Sequence, residues 1–186
     1  MRIVAGKFKG RRLAEPKSKD IRPTSDRARE TIFNILQHGC GISFDGLRVI
    51  DLFAGTGALG LEALSRGASF CLFVEDAAES RGLIRTNVEA LGQNGASKVY
   101  RRNATQLGAS ANLGQFGLTL LDPPYGKGLG ELALQSLYMG GWLAAGAICV
   151  LEDRRAVDIL VPAPFELLDR RELADTQIVF LQAPGG

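Results

Sequence analysis

One histidine, one tryptophan and two methionines are all this 186-residue chain has of those types, and its three cysteines are scattered. A single His38 cannot build a multi-histidine metal centre, and any Ser-His-Asp scheme would depend on that residue alone. It ends an expected helix, and we give it no catalytic role. Cys40, Cys71 and Cys149 form no CxxC pair, which argues against a zinc knuckle and a disulfide framework; no metal is expected. Cys71 and Cys149 fall in expected core strands, and Cys40 lies in a glycine loop outside any Pro-Cys motif. A cytosine-C5 scheme, which needs a nucleophilic cysteine, is therefore not expected. No apolar run approaches the roughly 18 residues that span a bilayer. The first residues, Met1 to Lys7, lack the apolar stretch of a signal peptide. The expectation is a cytoplasmic monomer with no membrane partner.

The composition is that of an ordinary globular protein. Hydrophobic residues make up 46% and charged residues 23%, which excludes a disordered chain or a coiled coil. The net charge of +2 hides a division. Residues 1–29 hold ten Lys/Arg against three acids; the remaining 157 hold 12 bases against 17 acids. A basic arm on a mildly acidic body points to a polyanion, with nucleic acid ahead of a merely solvated tail.

Arg2 to Ala5 and Arg11 to Ala14 read as two short strands around a glycine turn, a small basic hairpin. A polar loop, Lys17 to Arg22, follows between Pro16 and Pro23. Thr24, Ser25 or Asp26 can cap a helix over about 26–38, ended by Gly39 and Gly41. From residue 47 strands alternate with helices. Strands are expected at 48–53, 70–74, 98–101, 118–121 and 147–152, with helices at 58–66, 77–91 and 129–137. The segments 165–168 and 177–181 read as an antiparallel pair. This is the pattern of an α/β, doubly wound, mostly parallel sheet. The division expected is 1–25 as a basic extension and 26–186 as the main domain. Trp142 reads as packing, and Arg154-Arg155 and Arg170-Arg171 read as surface charge.

Where the first strand meets its helix, the sequence runs Asp51-Leu52-Phe53-Ala54-Gly55-Thr56-Gly57-Ala58-Leu59-Gly60. Glycines let the backbone turn tightly beside a ligand, and the helix N-terminus behind them offers free N–H groups. Glu75 ends the second strand, 18 residues after Gly57, where a carboxylate can accept both hydroxyls of a ribose. Gly55-x-Gly57-x-x-Gly60 fits either NAD or S-adenosylmethionine. Asp51 favours the latter, because an acid there attracts an ammonium and repels a pyrophosphate.

After the fourth strand comes Asp122-Pro123-Pro124-Tyr125. Two prolines hold a rigid extended turn at the carboxyl edge of the sheet. The exocyclic amine of a nucleobase is a poor nucleophile, since its lone pair is delocalised into the ring. Acceptors that bind its N–H groups turn that lone pair toward an electrophile. Asp122 and the Pro123 carbonyl supply two such acceptors, and Tyr125 can stack on the base.

Asp51-x-x-x-Gly55-x-Gly57, Glu75 and Asp122-Pro123-Pro124-Tyr125 together resemble the class I S-adenosylmethionine-dependent amino-methyltransferases. Arg2-Ile3-Val4-Ala5-Gly6-Lys7, Arg22-Pro23-Thr24-x-Asp26-Arg27-x-Arg29-Glu30, the run from Asp51 to Gly67, and Gly141-Trp142-Leu143 resemble the RsmD family. Those bacterial enzymes methylate N2 of one guanine in 16S ribosomal RNA. The resemblance covers nearly the whole chain. It implies a Rossmann-like, seven-stranded methyltransferase sheet with a basic N-terminal hairpin and helix extension. The implied cofactor is S-adenosylmethionine, leaving as S-adenosylhomocysteine, held by Asp51, Phe53, Ala54, Gly55, Thr56, Gly57, Glu75, Asp76, Asn103 and Ala104. Asn103 serves equally well as a turn residue. Lys7, Lys9, Arg11, Arg12, Arg22, Arg27 and Arg29 are the expected phosphate contacts. The implied partner is 16S ribosomal RNA or a partly assembled small subunit. Tyr125 stands where the family often has Phe, a form shared with adenine-N6 enzymes, so an adenine-N6 or other nucleic-acid amino-methyltransferase stays open. An NAD-dependent oxidoreductase has no use for Asp122 to Tyr125. A non-catalytic RNA-binding assembly protein would keep the arm and tolerate loss of Asp122.

Overall fold

Short apolar strands joined through helices build the sheet in the computed structural model, which describes residues 1–16 and 24–185. Helix α1 spans Asp26–Asn34, with Ser25 as its cap: the Ser25 Oγ accepts the Ala28 N–H at 3.1 Å. A π-helical turn, Ile35–Gly39, extends it. There follow β1 (Arg48–Leu52), α2 (Ala58–Ser65), β2 (Phe70–Val74), α3 (Ala78–Ala90), β3 (Ser97–Tyr100) and β4 (Phe116–Leu121). The chain continues through α4 (Leu129–Met139), β5 (Leu143–Arg154), β6 (Glu166–Leu173) and β7 (Thr176–Gln182). The expected loop from 17 to 22, with Arg22, and Pro23 lie outside the described residues.

The sheet runs β3-β2-β1-β4-β5-β7-β6. β1 to β5 are parallel; β7 lies antiparallel to both β5 and β6. The two final strands do pair as expected, and β7 also inserts beside β5. Strand β5 is twelve residues long, reaching past the expected 147–152 on both sides. Successive residues of β1 serve opposite faces of the sheet, as the two-residue period of a strand requires. Val49 packs with Leu61 and Ile84, while Ile50 and Leu52 pack with Leu134, Leu137 and the fully buried Trp142. Helices α1, α2 and α3 thus cover one face and α4 the other. The order reverses between β1 and β4, which places a crevice at their carboxyl ends. Leu52 lies beside Leu121, so Phe53 and Asp122 leave the sheet as neighbours.

The two N-terminal strands expected from the pattern shrink to one bridge, Arg2–Arg12, closed by hydrogen bonds such as Ile3 N–H to Arg11 O at 3.0 Å. The reason is that α2 takes up the backbone groups instead. The Glu62 carboxylate accepts the N–H groups of Val4 and Ala5 at 2.8 and 3.0 Å. Ser65 accepts from Phe8 N–H at 3.0 Å and donates to Ala5 O at 2.6 Å. Ile3 and Leu13 are buried in the main core, so residues 1–16 pack as part of the body.

Candidate functional site

The glycine loop is shaped by three close constraints. Phe53 has φ +56°, a left-handed conformation that costs a non-glycine residue about 1–3 kcal/mol, and it sits at the site rather than in an ordinary turn. Gly57, at φ +78°, caps α2. A Cβ on Gly60 would stand 2.4 Å from Phe73 Cε1 and 2.5 Å from Cys71 Sγ, so only glycine lets α2 lie this close to β2. The Gly60 N–H donates to Asp51 Oδ2 at 2.9 Å. Asp51 is buried, and burial pushes its carboxyl well above the usual range; the charges of Asp122 and Glu75 push the same way, while the Gly60 N–H opposes them. Glu75 binds the loop with Oε2, accepting from Gly55 N–H at 2.9 Å, while its Oε1 accepts the Ala77 N–H at the start of α3 at 2.8 Å.

Opposite this loop, β4 delivers Asp122, Pro123, Pro124 and Tyr125. The Tyr125 hydroxyl donates to Glu152 Oε1 at 3.0 Å, and Gly126 N–H donates to Asp153 Oδ1 at 3.0 Å, so β5 fixes the turn. Thr24 Oγ1 donates to Asp122 Oδ2 at 2.9 Å. Asp122 opens onto the cavity but is otherwise surrounded by protein. Burial is the main force that raises its carboxyl pKa to about 8; the charge of Glu152 adds to it, the Thr24 hydrogen bond opposes it, and Asp153 adds the smallest part.

A cavity of about 800 Å³ joins the two halves. Of the residues singled out in the sequence, Asp51, Phe53, Ala54, Gly55, Thr56, Glu75 and Asp122 to Tyr125 line it. Gly57, Asp76, Asn103 and Ala104 do not. Asp76 is exposed and its carbonyl accepts from Arg81. Asn103 caps a short 3-10 turn, its Oδ1 accepting the Thr105 N–H and hydroxyl at 2.9 and 2.8 Å, which is the turn role weighed above. Ala104 is buried in the core on the α4 side.

Thr24, Ser80, Lys127, Arg154, Asp175 and Thr176 also line the cavity and were not expected there. Thr24 stands in the Arg22-Pro23-Thr24 run and Lys127 two residues beyond Tyr125, so the sequence held a local cue for both. Asp175 and Thr176 carry none: the turn between β6 and β7 reaches the site only through the strand order. Arg154, read as surface charge, lies at the cavity, whereas its neighbour Arg155 pairs with Glu172 on the surface at 2.9 Å. A second cavity, about 340 Å³, shares Thr24, Tyr125, Asp175 and Thr176 with the first.

The arm divides by exposure. Lys7, Lys9, Arg11, Arg12 and Arg27 are exposed. Arg29 is not: it is fully buried, pairs with Asp26 at 2.7 Å, donates to Thr24 O at 3.1 Å and also to Arg2 O. The expectation that Arg29 touches phosphate is therefore corrected. A helix position facing the core turned a motif arginine into an internal clamp, and its two terminal nitrogens, Nη1 and Nη2, are spent on backbone carbonyls and Asp26.

The acceptor groups suit a ligand with a cationic amino-acid end and a ribose: carboxyl groups at β1 and β2 flank a strained loop in a cavity of that scale. Residues 1–182 match the family described as conserved hypothetical protein 95. The ribosomal RNA small subunit methyltransferase D of Escherichia coli K12 is 37% identical over 182 residues, 97% of this chain and 87% of that protein. The protein of the same name from Haemophilus influenzae is 32% identical over 92% of this chain and 88% of its own length. The solved structure of yhhF from Escherichia coli superposes with a TM-score of 0.83 at 31% identity, covering 100% of this chain and 99% of that one.

Proposed function

We propose the following for this chain, which belongs to the RsmD family: it transfers a methyl group to the exocyclic N2 of a guanine in small-subunit ribosomal RNA. One observation carries the reading. The acceptor motif Asp122 to Tyr125 lines the same cavity as the glycine loop and Glu75. When bound, S-adenosylmethionine supplies the electrophilic methyl group and leaves as S-adenosylhomocysteine. Asp51, Phe53 to Thr56 and Glu75 would hold it. The guanine must leave its stack to reach so recessed a site. Asp122 and the Pro123 carbonyl then accept the hydrogens of its amine, Tyr125 stacks on its ring, and the surplus proton passes to Asp122 or to solvent. Glu152 and Asp153 hold the turn that carries these groups.

Residues 1–25 serve, in this reading, as the RNA-binding extension of a methyltransferase domain spanning 26–186. Lys7, Lys9, Arg11, Arg12 and Arg27 contact phosphates, so binding weakens steeply with salt. The substrate is 16S ribosomal RNA, free or in a partly assembled small subunit, and the enzyme works in the cytoplasm as a monomer.

The test is to incubate the chain with methyl-labelled S-adenosylmethionine and unmodified small-subunit RNA, free and in particles, beside duplex DNA, and to identify the labelled nucleoside. N2-methylguanosine from RNA is expected. N6-methyladenine from DNA would keep the chemistry and overturn the substrate. No label, with the cofactor still bound, would favour a non-catalytic RNA-binding protein.

Glu75→Ala is expected to weaken S-adenosylmethionine binding by about 1–3 kcal/mol, through loss of charge-assisted hydrogen bonds to the ribose and of the bond that holds Gly55. Calorimetry giving unchanged affinity would remove Glu75 from the ribose site.

A further inference from the structure

We propose that Thr24 is a positioning residue for methyl transfer, its hydroxyl holding one oxygen of Asp122 so that the other faces the substrate amine. The proposal rests on the methyltransferase reading above and goes beyond its motif residues. Thr24 lies 98 residues from Asp122 in the chain, outside both halves of the glycine-loop and Asp-Pro-Pro-Tyr pattern.

Three observations carry it. The Thr24 hydroxyl donates to Asp122 Oδ2 at 2.9 Å, so one carboxylate oxygen has a fixed partner inside the cavity wall. Thr24 lines both cavities and stands where they meet. Its own backbone is fixed, because the buried Arg29 donates to Thr24 O at 3.1 Å while pairing with Asp26 and binding Arg2 O. A single guanidinium thus fastens the start of the chain and the foot of α1, and the residue it fastens reaches the acceptor. A hydroxyl has one proton to donate. Spending it on Asp122 favours the ionised carboxylate, the form that can accept from an amine.

The surroundings make that bond matter. Glu152 and Asp153 face Asp122 from β5 and Asp51 interacts with it from the glycine-loop side, where Glu75 also lines the cavity; among the described residues, Lys127 and Arg154 are the cations on the cavity wall. Burial, Glu152 and Asp153 disfavour a charged Asp122, and among the causes of its shift the Thr24 hydrogen bond is the one that opposes them.

The test compares Thr24→Val, which keeps the shape without the hydroxyl, with Thr24→Ser, which keeps the hydroxyl, and with Thr24→Ala. Single-turnover methyl transfer to RNA is measured across pH 6–10 at saturating cofactor and RNA, with cofactor affinity measured by calorimetry. Thr24→Val and Thr24→Ala are expected to slow transfer about tenfold near neutral pH and to move the acid limb upward by roughly one pH unit. Thr24→Ser should restore both, and cofactor affinity should stay within about threefold. Retained affinity certifies the fold, and a merely structural role would leave the pH limb in place. Thr24→Val transferring at the unsubstituted rate with the same pH limb would overturn the proposal. Faster transfer by Thr24→Val would overturn it too, since the hydroxyl would then occupy an acceptor the amine needs. No transfer by the unsubstituted chain would instead overturn the methyltransferase reading on which the proposal stands.

Discussion

Asp122→Asn is expected to cut methyl transfer at least about a thousandfold while leaving S-adenosylmethionine affinity within roughly threefold. The amide keeps one acceptor oxygen but replaces the other with an N–H donor and cannot take a proton, so either the Thr24 hydroxyl loses the acceptor it holds or the guanine amine meets a donor where it needs an acceptor. The residues proposed to hold the cofactor, Asp51 and Glu75, lie on the other wall of the cavity. A transfer rate within tenfold of the parent would remove Asp122 from the chemistry.

The same substitution carries a second signature with a definite sign. Burial and the neighbouring acids raise the Asp122 pKa from 3.8 to about 8 in the folded chain. A raised folded value means that this carboxyl favours the fold at low pH and gives that contribution up as pH climbs from about 4 through 8. Above that range the native protein holds an unfavourable buried charge, which Asn does not. Thermal unfolding should therefore show Asp122→Asn gaining on the parent between pH 5 and pH 9. A gap that stays constant across those values would contradict the shifted carboxyl. Transfer itself, which needs the ionised form, should rise along an acid limb near pH 8 in kcat/KM. The acceptor thus lowers stability at the pH where it acts, a trade seen when function requires a desolvated charge.

Glu62→Ala is expected to destabilise the chain by about 3–5 kcal/mol, lowering Tm by roughly 10 °C. Glu62 is fully buried on α2 and receives the N–H groups of Val4 and Ala5 and the guanidinium of Arg66 at 2.9 Å. Truncation strands two backbone donors and leaves Arg66, itself nearly buried, without its counter-ion. Urea unfolding would measure the loss, and hydrogen exchange should quicken first at Val4 and Ala5. A change below about 1 kcal/mol would mean that residues 1–16 are held without Glu62, by Ile3, Leu13 and the contacts to Ser65 and Arg29. The same anchorage bears on any study of the arm. Removing the first twenty residues would strip core side chains along with charges, so charge reversal at exposed Lys9 and Arg12 isolates the electrostatic part.

Much of the site was legible because its chemistry is local. A glycine loop between strand and helix, an acid at the next strand end, and Asp122 to Tyr125 after an apolar strand are each written within a few consecutive residues. Strand–helix alternation then fixes which sheet edge they share. The basic arm was equally plain from charge counting. Arg29 was misjudged because charge and sequence neighbourhood cannot say which way a helical residue points. At the foot of α1 its side chain turns inward, into a cage of carbonyls. The two N-terminal strands failed for a related reason: a β-like pattern predicts extended chain, but not whether its hydrogen bonds go to another strand or to side chains such as Glu62 and Ser65.

The sequence by itself thus determined the α/β class, the order of elements and the chemical groups at the carboxyl edge, since periodicity and short motifs are properties of neighbouring residues. Only the tertiary structure decided that β7 slips between β5 and β6, carrying Asp175 and Thr176 to the cavity, and that Thr24 reaches Asp122 across 98 residues. Those placements follow from the packing of a closed core and the pairing of buried polar groups. Both depend on residues far apart in the chain, and no local pattern encodes them.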